Sequence, residues 1–118
     1  MILGIKANTQ YDLVHGMPAI IERDGDGSHL CRMNIEPVYE DGKQTAWACY
    51  EIRFWESPTK DNLKRLLIRS IISESQEMKL INDYNRHQLG IRESAEAVAR
   101  YRDFLQMVEE IDKELEMI

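Results

Sequence analysis

Two runs of alternating apolar and polar residues, Leu30–Tyr39 and Thr45–Glu56, meet at Asp41-Gly42. Alternation with period two marks half-buried strands, and Asp-Gly between them predicts a two-residue type I′ turn, whose central residues both need positive φ. That turn sets Glu40 opposite Lys43, so the numbers of each opposed pair add to 83. Met33 then faces Tyr50, Cys31 faces Ile52 and Ile35 faces Ala48 on one apolar side. Arg32 faces Glu51, Asn34 faces Cys49 and Glu36 faces Trp47 on a wetter side. A slip of one residue would invert every assignment, so turn and pattern support the same register. Upstream, Met1–Ala7 and Pro18–Arg23 are short strand candidates, and Asp24-Gly25-Asp26-Gly27 supplies turn signals before the hairpin.

Beyond the hairpin the period changes. Ser57 reads as an N-cap and Pro58 as a first helical residue, followed by a stripe of Leu63, Leu66, Leu67 and Ile71 broadened by Ile68 and Ile72. Ser73-Glu74-Ser75-Gln76 matches a capping box that restarts a second helix, ending at Gly90; one continuous helix from Pro58 to Leu89 is the alternative. From about Arg92 a third helix runs to the end. Its apolar residues Ala97, Tyr101, Phe104, Val108, Ile111, Leu115 and Ile118 keep a heptad spacing, with Val98 and Leu105 beside the seam. The predicted fold is α+β in a single domain of 118 residues. An N-terminal antiparallel β-meander of three or four strands (1–56) is packed on one face by two or three C-terminal helices (57–118).

Charge adds one asymmetry. The net charge of −6 opposes the counterion release that drives nucleic-acid binding. The first helix carries Lys60, Lys64, Arg65 and Arg69, however, whereas the last carries Asp103, Glu109, Glu110, Asp112, Glu114 and Glu116, a complement available within one chain or between copies. No apolar run is long enough to span a membrane, and the first residues lack the pattern of an export signal. The expected compartment is therefore the cytoplasm, where Cys31 and Cys49 remain reduced thiols.

Candidate chemistry is sparse. Asp24-Gly25-Asp26-Gly27-Ser28 resembles the start of a calcium loop, but its twelfth position is Ile35 and its glycines are misplaced, so it reads as a tight turn. His29 and Cys31 share a face that Cys49 does not, which prevents a zinc set from converging. No nucleophile elbow, Walker loop or dinucleotide fingerprint occurs, and His15-Gly16 is the one loop in which an unrecognised catalytic group would be sought. No catalytic residue, metal or cofactor is assigned. Trp47 and Trp55 with Arg53 and Arg32 form a possible ligand face, on which aromatic and guanidinium groups would stack a small ligand or single-stranded nucleic acid.

The segment from Glu51 to Glu74, with Phe54-Trp55 on a strand, Pro58-Thr59 at a helix start and Asn62-Leu63-Lys64-Arg65 within the helix, resembles small uncharacterised proteins encoded in phages and integrated elements of gut Bacteroidetes. The resemblance implies an accessory or structural role in virion assembly, hence a virion-associated location, and carries over no catalytic residues.

The leading expectation is a non-enzymatic assembly or adaptor module acting by protein contact. A C-terminal helix of 25 residues (94–118) would span roughly 37 Å, about the diameter of a domain of this size. Tyr101, Phe104, Val108, Ile111, Leu115 and Ile118 are therefore expected to form a partner interface, with a homodimer favoured. On that reading Ile111→Asp with Leu115→Asp gives a folded monomer; the competing reading folds the seam back onto the first helix.

Overall fold

The computed structural model describes residues 1–118. In chain order the elements are β1 (Thr9–Tyr11), β2 (Ile21–Arg23), β3 (His29–Glu40), β4 (Lys43–Phe54), α1 (Lys60–Ile71), α2 (Glu74–Gln88) and α3 (Ala95–Glu116). The strands form one antiparallel sheet in the order β1-β4-β3-β2. Consecutive strands β2, β3 and β4 are the expected meander, and β1 closes the free edge of β4. Met1–Ala7 is not that extra strand. Gly4 at φ +80° breaks its extension, and Ile2 instead drops into the core with 1% exposure.

Asp41 (φ 50°) and Gly42 (φ 78°) both take the positive φ that a type I′ turn demands. Glu40 pairs with Lys43, and at the far end Met33 pairs with Tyr50, Arg32 with Glu51 and Cys31 with Ile52, as the alternation predicts. Between these ends the register differs by one. Glu36, not Ile35, faces Ala48, and Pro37, not Glu36, faces Trp47. The cause is a bulge at Asn34 (φ 53°), where Asn34 and Ile35 together oppose Cys49. A second irregularity leaves Thr45 as the extra residue on β4 and cancels the shift before the turn. Pro37 is tolerated because β2 pairs only with His29–Cys31, leaving the outer edge of β3 open at that point.

The chain passes through Ser57-Pro58 before turning into α1, so the cap is Thr59 and not Ser57. The Ser57 carbonyl accepts from the Thr59 N–H and from Asn62 Nδ2, while the Thr59 hydroxyl accepts from the Asn62 N–H at 3.2 Å. At Ile72 the backbone is extended (φ −141°), which separates α1 from α2. The capping box follows: the Gln76 N–H donates to Ser73 Oγ at 3.1 Å and the Ser73 N–H donates to Gln76 Oε1 at 2.9 Å.

The core lies between one face of the sheet and two helices. Cys31, Met33 and Phe54 from the sheet meet Leu63, Leu67 and Ile68 of α1, Ile111 and Leu115 of α3, and Ile2. Helix α2 takes no such place; it lies along the first half of α3 and has no buried residue. The hairpin beyond the bulge is equally bare, since no residue from Asn34 to Ala48 is buried. These two extensions make the molecule 57 × 38 × 21 Å with a radius of gyration of 17.4 Å. A compact chain of this length would have a radius of about 13.5 Å.

Candidate functional site

The four residues of the expected ligand face do not make one surface. Arg32 is 2% exposed because residues 11–20 and β2 cover that side of the sheet. Its guanidinium lies 2.7 Å from a Glu22 carboxylate oxygen and 2.9 Å from one of Glu51, donates to Tyr11 Oη and to the Ala19 carbonyl, and sits 4.7 Å from the centre of the Tyr11 ring. Burial alone would lower the Arg32 pKa, but the bonds to Glu22, Glu51 and Tyr11 outweigh it and raise it. The Tyr11 hydroxyl is pushed above its ordinary range, first by burial and then by its hydrogen bond to Glu51. One side chain thus ties all four strands together. It belongs to the scaffold.

Arg53 projects at the edge of this region and holds the Asp24-Gly25-Asp26-Gly27 turn, 2.8 Å from Asp24 Oδ2 and 3.7 Å from Asp26 Oδ2. Both aspartates are held below the usual carboxylate range. The Arg53 hydrogen bond is the main cause for Asp24, and the Ser28 hydrogen bonds are for Asp26. Trp47 faces Pro37 and Tyr11 on neighbouring strands and is half-buried, whereas Trp55 follows β4 and is exposed. Eight residues, roughly 26 Å of chain if fully extended, separate the two tryptophans along the backbone. A hollow of about 400 Å³ next to Arg32 includes His15, Gly16 and Glu22. The guanidinium on its wall is already engaged by Tyr11, Ala19, Glu22 and Glu51.

Cys31 and Cys49 are both buried free thiols. Cys31 joins the helix-side core, and Cys49, one position from Tyr50, points to the opposite face.

The C-terminal seam divides along its length. Ile111 (0% exposed) and Leu115 (3%) lie in the core against α1 and the sheet, so neither is free for a partner. Phe104 and Val108 pack at the margin of the same core. The Tyr101 ring packs against Tyr84 of α2 with centroids 4.8 Å apart and a tilt of 37°, and Ile118 is exposed. The charge asymmetry is partly consumed within the chain, because α1 and α3 are neighbours and Lys64 Nζ lies 2.9 Å from Asp112 Oδ1.

What remains open is the arm made by α2 and the first half of α3. Met78 (56% exposed), Leu89 (74%), Ile91 (71%) and Leu105 (48%) lie on its surface. A groove of about 480 Å³ runs along it, lined by Tyr84, Val98, Tyr101, Arg102, Leu105 and Glu109 among others. Of the residues that line this face, the heptad seam contains Tyr101 alone, with Val98 and Leu105 beside it. The signal for the face was a second stripe, Val98, Arg102, Leu105 and Glu109, offset by one residue from the apolar heptad and half charged.

No helix of the molecule is long and apolar enough to cross a membrane. Comparison with protein-family models, with curated proteins and with solved structures returns no match.

Proposed function

We propose that this chain is a non-enzymatic protein–protein interaction module that serves in assembly or as an adaptor, acting through the α2–α3 arm. The observation that carries the reading is α2 itself, a capped helix of 15 residues with none buried. Helices in globular proteins form chiefly to bury an apolar stripe, and that of α2, Leu80, Ile81 and Tyr84, is only half-covered by α3, which leaves apolar surface of the kind that generally serves for contact. The resemblance of Glu51–Glu74 to phage-encoded proteins gives the proposal a setting in virion assembly. A gene position beside capsid or tail genes supports that setting, and a position within a metabolic operon argues against it.

Site-specific photocrosslinking in the native host tests the reading. A photoreactive residue at Leu89 or Ile91 is expected to yield discrete crosslinked protein species that the same group at Thr45, on the distal hairpin, does not. Absence of any discrete species from the arm positions overturns the proposal.

A further inference from the structure

We infer that the occupant of the α2–α3 groove is a second copy of this chain, bound across a two-fold axis with the two α3 helices antiparallel. The inference rests on the interaction reading above and names its partner. Three observations carry it.

The first is area. The chain exposes 8010 Å². A folded monomer of this mass is expected to expose about 6,600 Å², so roughly 1,400 Å² is in excess. A stable dimer of standard size buries about 800 Å² on each partner. The surplus is shared between the bare hairpin and the arm, it is sufficient for one such interface, and α2 is the helix with no buried residue.

The second is charge. Arg102 and Glu109 flank the exposed Leu105, are the two charged residues that line the groove, and have no ion-pair partner in the chain. An isologous interface must be complementary to itself. With the axis passing between Leu105 and Gln106, opposed residues have numbers adding to 211. Arg102 then lies level with Glu109 of the second copy, and Glu109 with its Arg102. Leu105 is level with Gln106 of the second copy, so the two Leu105 residues lie only about 1.5 Å apart along the helix direction at the centre. One positive and one negative groove residue, placed symmetrically about the Leu105–Gln106 midpoint, form the arrangement that antiparallel self-pairing requires.

The third is the position of the remaining exposed apolar groups. Leu89 and Ile91 lie at the turn before Ser94, the N-cap of α3, while Met117 (81% exposed) and Ile118 (46%) lie at its other end. In the same register Ser94 is level with Met117 of the second copy. The apolar tip of each arm therefore comes to the apolar end of the opposite α3, and the two helical hairpins form a four-helix arrangement.

Analytical ultracentrifugation of the purified full chain, up to about 100 µM and so well above the micromolar ceiling for interfaces of this size, is expected to give twice the 13.8 kDa monomer mass. Arg102→Glu and Glu109→Arg, each alone, set like charges opposite one another and are expected to weaken the dimer roughly tenfold or more. The double variant R102E/E109R restores it. Leu105→Asp is expected to give a monomer with an unchanged circular dichroism spectrum, since Leu105 lies outside the core. A monomeric parent protein overturns the self-pairing. The interaction reading then survives only if the arm crosslinks to a different protein, so the two failures are distinct. A dimer indifferent to Leu105→Asp and to both charge reversals overturns this face and register.

Discussion

The side-chain amide of Asn34 and the backbone of Ile2 are joined in both directions: Asn34 Oδ1 accepts from the Ile2 N–H at 2.7 Å, and Asn34 Nδ2 donates to the Ile2 carbonyl at 2.7 Å. The asparagine thereby does for Ile2 what a neighbouring strand would do. The bulge that gives Asn34 its positive φ is what frees the amide, and the amide is what holds Ile2 in the core.

Replacing this residue separates two effects. Asn34→Gly keeps the bulge conformation but removes both bonds, and is expected to lower stability by about 1–3 kcal/mol. Asn34→Ala adds the strain of positive φ on a residue with Cβ, about 1 kcal/mol more. Urea unfolding of the two variants checks the order. Equal losses would mean that the bulge relaxes when the amide is gone.

Arg32 is the second test of the scaffold. Arg32→Met leaves Glu51 and Tyr11 without their partner beneath the N-terminal cover, and is expected to cost about 3–5 kcal/mol. Arg32→Lys keeps the charge but cannot reach Tyr11, Ala19, Glu22 and Glu51 together, so it should restore only part of the loss. Thermal melts that show Arg32→Met at parental stability would remove the cluster from the account of the fold.

The seam residues provide the third. Ile111→Asp or Leu115→Asp places a carboxylate in a dry core and is expected to unfold the chain, in contrast to Leu105→Asp on the outer face. Amide dispersion in a proton–nitrogen correlation spectrum distinguishes the two outcomes directly. Well-dispersed spectra for both core variants would return these positions to an interface role.

Burial pushes the Cys31 thiol from its ordinary value near 9 up to about 11. In the unfolded chain the thiol ionises first, so its contribution is fully present below pH 9 and is lost as pH rises to 11. The loss is on the order of 2–3 kcal/mol. Urea midpoints measured across this window are expected to fall less steeply for Cys31→Ala than for the parent. Neither Cys31 nor Cys49 should react with a thiol reagent at pH 8 until the chain is unfolded; prompt native-state labelling of Cys31 would contradict its burial.

The amino-acid sequence by itself determined whatever rests on short-range signals. Asp41-Gly42 carries its own turn geometry, period-two alternation chooses the face of each strand, and Ser73 with Gln76 closes a cap from three residues away. The pairing of Met33 with Tyr50 and the α+β order of elements followed from these local preferences. Tertiary structure decided wherever two distant segments compete for the same residue. Arg32 reads as a wet-face residue until the N-terminal segment covers it. The heptad of α3 is uniform along the chain, yet Ile111 and Leu115 are buried while Leu105, one position off the seam, is not. Periodicity specifies that a helix has an apolar stripe. Which half of that stripe meets the sheet, and which is carried out on an arm beyond it, depends on where the connections Ile72–Ser73 and Leu89–Ser94 aim α2 and α3, and no local pattern encodes that direction.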